Sequence, residues 1–134
     1  MNHTLTYPLR RHADQLRAAS DRPLAEITED AARAGELSMA DFQISAGTLR
    51  AQAEVARQAG YIQLAANLIR AAELTAVPNA KVLEMYNTLR PGRATYAQLM
   101  VLAHALETQY QAPQCARLVR EAAQVYQMRG LLRK

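Results

Sequence analysis

The sequence predicts an all-α protein, a small bundle of about five to six short helices with an extended N-terminal arm. Three observations predict it. The apolar half of the composition rests on Ala and Leu, strong helix formers, with one Phe (Phe42), six Tyr and no Trp. From Ser45 onward, apolar residues recur at the 3.6-residue helical period, in runs closed by Gly or Pro. No stretch alternates with period two for long enough to make a strand.

Residues 1–44 read as an arm of modest structure and 45–134 as the helical domain. In "YPL" at 7–9, Pro8 pushes Tyr7 towards extended geometry. "ASDRPL" supplies a cap and Pro23 near a helix start, which predicts a helix over 23–34 closed by Gly35. Its apolar face, Leu24, Ile27 and Ala31, is poor. "LSMADFQIS" is a connector with one helical turn after Ser38. Ser45 then caps a helix over 46–59 with Leu49, Ala53 and Ala56 on one side, ended by Gly60. The next, over 61–76, aligns Tyr61, Ala65, Leu68 and Ala72 beside Ile62, Ile69 and Ala76. Val77-Pro78 stops it, and Asn79 is the expected cap of a helix over 80–90 carrying Val82, Tyr86 and Leu89. After Pro91-Gly92, Thr95 caps 96–110, with Tyr96, Leu99, Met100, Ala103, Leu106 and Tyr110 aligned. Pro113 opens the last helix, to 129, with Cys115, Leu118, Val119, Ala122, Val125 and Tyr126 aligned and Gly130 behind it. The stretch 70–91 therefore reads as a joint, one helix running into a Pro and a second running into another.

A chain of 134 residues suits one domain and buries roughly two thirds of its unfolded surface. Ala contributes little buried area, so the core is thin per residue. The expectation is marginal stability alone and reliance on a partner. The net charge of +4 is almost all Arg, with Lys only at 81 and 134. Arg suits fixed bidentate or stacked contacts, but +4 spread over the chain is a weak nucleic-acid signal. A single cysteine, Cys115, excludes an internal disulfide. No run is apolar enough for a membrane span or a signal peptide, so a reducing cytoplasm is the expected compartment.

The search for chemistry returns little. His104 and Glu107 stand at i and i+3, but a metal site in a bundle needs several such ligands to converge, and His3 and His12 sit in the arm. Cys115 lies in register with the apolar stripe, which favours a buried core residue over a nucleophile. No G-x-S-x-G, P-loop or dinucleotide fingerprint is present. The acids pair with arginines three or four residues away: Glu54 with Arg57, Arg70 with Glu73, Arg117 with Glu121. These read as solvated helix-face pairs. Only the arginines have binding potential: Arg90 and Arg93 beside Tyr86, and Arg117 and Arg120 on the last helix. A soluble surface explains them, a protein contact comes next, and nucleic acid third, for want of a stacking platform. No catalytic, cofactor-binding or metal residue is assigned to the chain.

The residues also carry a resemblance. "RAAELTAVPNAKVLEMYNTLRPGRAT" at 70–95, "LVREAAQVY" at 118–126, "YPL" at 7–9, "DFQIS" at 41–45 and "TLRAQAEVA" at 48–56 stand in one order. Over about residues 7–129 the chain resembles the small (gamma) subunit of adenosylcobalamin-dependent diol and glycerol dehydratases. The resemblance implies a mainly helical, non-catalytic subunit that packs on and stabilises the large (alpha) subunit. The large subunit holds substrate and a potassium or calcium ion, and the adenosylcobalamin lies between the large and medium (beta) subunits. The assembly would be a dimer of heterotrimers converting propane-1,2-diol or glycerol to the aldehyde plus water. No nucleic acid and no membrane enter that picture. Tyr7, Pro8, Leu9, Tyr86, Arg90 and Arg93 are the expected subunit-interface residues. The alternative is a free-standing helical module that binds protein or nucleic acid. Gly92 stands where the family usually has an aromatic, and Gln43 where it has an arginine. Relatives also carry larger apolar residues at Glu29, Ala32 and Arg33. The chain begins just before "YPL", without the extension linked to packing into bacterial microcompartments, so encapsulation is not expected to run through this subunit.

Overall fold

A computed structural model describes residues 4–134. It is all-α, as the periodicity predicts. Its helices are α1 (Glu29–Arg33), α2 (Met39–Phe42), α3 (Ala46–Gln58), α4 (Ile62–Leu74), α5 (Asn79–Thr88), α6 (Tyr96–Thr108) and α7 (Pro113–Arg129). Two 3-10 segments, Leu9–Gln15 and Leu24–Glu26, precede them. Among the described residues the only β feature is an isolated antiparallel bridge between Arg17 and Pro23. The chain forms two compact units, Met1–Thr75 and Ala76–Lys134, so the arm shares a unit with α3 and α4. The division falls inside the 70–91 stretch.

In the first unit, the predicted helix over 23–34 is two pieces. Ile27 leaves helical geometry (φ −88, ψ 87), and the Thr28 side chain accepts from the Ala31 amide at 3.1 Å, starting α1 afresh. A side-chain oxygen that satisfies a first-turn amide makes a new start cheaper than a continuous helix. Ser45 caps α3 as expected, accepting from the Thr48 amide at 3.4 Å. α3 packs on α4 through Ala53, Ala56 and Ala65, with Leu68 and Ile69 against them. These alanines let the two backbones approach closely. Tyr61 and Ile62, expected on the buried stripe of α4, are 65% and 58% exposed. They stand at the start of α4, Tyr61 as the residue before it and Ile62 as its first.

In the second unit, Asn79 is not the cap of α5. The helix begins at Asn79 itself, behind Pro78 (φ −57, ψ 142), whose carbonyl accepts from the Val82 amide at 3.0 Å. Proline's fixed φ is already suited to that position, and its missing N–H is no loss there. α5 turns Met85 inward and Tyr86 outward. Thr95 and Gln98 form a full capping box on α6. α6 packs on α7 through Leu99, Leu102, Ala103 and Leu106. α7 answers with Cys115, Ala116, Val119 and Ala123. Its buried face is thus rotated from the expected stripe, leaving Leu118 and Val125 about two fifths exposed. Small residues face α6 because the inward side of α6 already supplies the bulk. Gly130 (φ 67) closes α7 in the left-handed region that glycine adopts without a Cβ clash.

Candidate functional site

The six expected interface residues fall into two groups, one in each unit. In the first, Tyr7 is 81% exposed and Pro8 and Leu9 are half-buried; the Tyr7–Pro8 peptide is cis. Tyr7 and Leu9 wall a groove of about 670 Å³ whose other sides are Val55 and Ala56 of α3, Ala59 just after it, and Tyr61, Leu64 and Leu68 around α4. Gln52 also lines it, and the remaining lining is aliphatic or tyrosine. Met39, Phe42 and Ile44 add a second exposed apolar set, at 77%, 63% and 70%. Such surfaces in a small chain mark interaction sites.

In the second unit, Tyr86 is 76% exposed on α5, and Arg90 and Arg93 are exposed on the turn that follows. That turn is held from behind. The Tyr126 hydroxyl donates to the Leu89 carbonyl at 2.6 Å. The Gly92 amide donates to the Leu131 carbonyl at 2.7 Å, and the Arg133 amide to the Ala94 carbonyl at 2.8 Å. Gly92 takes φ +79, so a glycine here answers a backbone need of the turn. Arg93 also borders a groove of about 420 Å³ with Lys81, Glu84 and Thr88. The sequence reading missed the tail 131–133 as a clamp, because backbone bonds between distant segments leave no local pattern.

The other candidates resolve as follows. His104 is exposed, and Glu107 is taken by Arg120 of α7 at 2.5 Å. Arg117 pairs with Glu121 at 3.1 Å and Arg57 with Glu54 at 2.6 Å, both exposed helix-face pairs as expected. The Arg57 hydrogen bonds, joined by Gln58, lower the Glu54 carboxyl below its usual value. Glu73 departs from expectation: it is buried on α4 and is no solvated helix-face acid. Cys115 is buried on α7, which supports the core assignment. The described part of the arm includes His12, whose ring meets Thr6 at 3.1 Å; His3 lies outside the described residues. Among the described residues no group of three His, Cys, Asp or Glu side chains is placed to hold a metal ion. Nor is any described helix long and apolar enough to cross a membrane.

A buried carboxylate that the sequence reading overlooked joins the arm to α2. Asp41, 6% exposed, accepts from the Ser20 hydroxyl (2.5 Å), the Arg22 Nε (3.1 Å) and the Ser38 amide (2.7 Å). The Ser20 bond foremost, then Ser38 and Arg22, hold its carboxyl down at about 2 against the opposing push of burial. The S-x-x-D spacing of Ser38 and Asp41 was the available signal.

Comparison with known proteins bears on these surfaces. Residues 3–133 match the family described as Dehydratase small subunit. The chain belongs to that family. It is 44% identical over 128 residues to the propanediol dehydratase small subunit of Citrobacter freundii, covering 95% of this chain and 74% of the relative. The counterpart from Salmonella typhimurium is 43% identical over the same spans. For a dehydratase small subunit, exposed apolar and arginine-bearing surfaces have a natural use, since other dehydratase subunits are its partners.

Proposed function

We propose that this chain is the non-catalytic small subunit of an adenosylcobalamin-dependent propanediol or glycerol dehydratase, and that it packs on and stabilises the large catalytic subunit. The observation that carries this reading is the match to two propanediol dehydratase small subunits along 95% of the chain. In this reading the large and medium subunits hold substrate, the adenosylcobalamin and the potassium or calcium ion. They also carry out the conversion of diol to aldehyde plus water. The small subunit contributes two contact surfaces, Tyr7-Pro8-Leu9 over the α3–α4 groove and Tyr86 with Arg90 and Arg93 on the clamped turn. Tyr and Arg are the residue types favoured at such contacts. The assembly is a dimer of heterotrimers working in the cytoplasm, free or inside a bacterial microcompartment.

The test is co-expression with candidate large and medium subunits, capture through a tag on this chain, and an aldehyde assay with adenosylcobalamin and propane-1,2-diol or glycerol. A stoichiometric, active complex that loses activity when this chain is omitted is the expected result. A stable monomer that ignores both partners would overturn it.

A further inference from the structure

None of residues 4–27 is buried. Its apolar side chains Leu5, Leu9, Leu16 and Ile27 are only partly covered, so polar contacts add to what holds the arm in one place. Within the arm, the chain reverses in a turn closed by its own bonds. The Ala18 amide donates to Arg22 O at 2.9 Å, the Asp21 amide to Ala18 O at 2.9 Å and the Leu24 amide to Leu16 O at 3.1 Å. Asp21 sits at φ 68, and Arg17 donates to its carbonyl at 2.8 Å. Two side chains leave this turn for the α1–α2 region. Ser20 and Arg22 both donate to Asp41 Oδ1, and Arg22 also donates to the Glu36 carbonyl at 3.0 Å. The other carboxylate oxygen, Oδ2, accepts from the Ser38 amide and caps α2. One oxygen thus binds the arm and the other starts the helix.

We propose that the arm is a strap and that Asp41 is its latch: the Ser20 and Arg22 contacts hold 16–24 closed on a first unit that stays folded when the strap opens. The strap carries Tyr7 and Leu9, so the latch governs whether the α3–α4 groove has its outer wall. Charge-assisted bonds from one carboxylate suit this task, because they are directional and concentrated at a single point. Local opening of weakly buried segments on an intact core is a common property of folded chains. The latch belongs to this chain alone and does not depend on the subunit reading.

Hydrogen exchange of the full-length chain, read by mass spectrometry, tests it with two variants. Ser20→Ala combined with Arg22→Gln removes both strap-side donors and leaves the Ser38–Asp41 cap. Asp41→Ala removes the strap contacts and the cap together. In the Ser20→Ala, Arg22→Gln double variant the amides of Ala18, Asp21 and Leu24 are expected to exchange about ten- to a hundredfold faster, with the Ser38 amide and the α3 and α4 amides unchanged. Asp41→Ala is expected to add the Ser38 amide to the fast set. Unchanged exchange over 16–24 in the double variant would overturn the latch. Equal acceleration through α3 and α4 in that variant would overturn it too, since the contact would then support the whole unit and not a strap. If Asp41→Ala fails to fold, the double-variant result decides alone.

Discussion

Leu99 and Leu106 are the largest fully buried side chains among the described residues, and Leu99 is the sharper probe of the α6–α7 pair. It is 0% exposed and lies on the α6 face that meets α7. Replacing it by Ala removes three carbons. At about 0.8 kcal/mol per buried methylene the transfer loss alone is about 2.4 kcal/mol. The opposing residues, Cys115, Ala116, Val119 and Ala123, are small or stiff and sit on a helix. They have little freedom to fill the gap, so a cavity penalty adds to the transfer loss. The expected cost is about 3–4 kcal/mol, a large share of the roughly 5–15 kcal/mol that holds a domain together. Val101→Ala on the same helix is the control: Val101 is 70% exposed, and its loss is expected to cost no more than about 0.5 kcal/mol. With no Trp in the chain, helical circular dichroism during urea denaturation is the assay. Leu99→Ala should lower the midpoint strongly with an unchanged slope, and drop Tm by roughly 10 °C. Equal midpoints for the two variants would refute the assignment of the inward face of α6.

Tyr86→Ala combined with Arg90→Ala removes two exposed side chains, so the stability of the free chain should stay within about 0.5 kcal/mol of the parent. Association with the large subunit should weaken at least about tenfold; a double variant that co-purifies like the parent refutes that interface. Tyr126→Phe deletes the bond to the Leu89 carbonyl and should cost about 1 kcal/mol in urea denaturation, with no cost indicating that the turn is held by its backbone bonds alone. Asp41 is lowered from 3.8 to about 2 in the folded chain, so the native state binds fewer protons than the unfolded one as pH falls. Its contribution is present above about pH 4 and lost between about pH 4 and 2. The stability gap between the parent and Asp41→Asn should therefore be full at neutral pH and narrow towards about pH 2; a gap independent of pH would refute the role of the charge.

The sequence by itself determined the helical class, because Ala, Leu and the 3.6-residue period act within each segment. It also determined most helix ends, where Ser45, Thr95, Pro113 and Gly130 act through neighbours a few residues away. It carried the family as well, through ordered stretches such as "RAAELTAVPNAKVLEMYNTLRP". The tertiary structure decided which side of each helix faces inward. A stripe wide enough to be read two ways is settled only by the opposing helix, which is why Met85 is buried beside an exposed Tyr86 and why Ala123 is buried while Val125 is partly exposed. The structure also decided the fate of single acids. Glu54 and Glu73 look alike as helix residues near an arginine, yet one pairs in solvent and the other is buried. Asp41 gains its role from Ser20 and Arg22, about twenty residues away. The clamp of 131–133 on the turn after α5 is another such case. Contacts between segments distant in sequence depend on how the chain returns, and no local pattern encodes that.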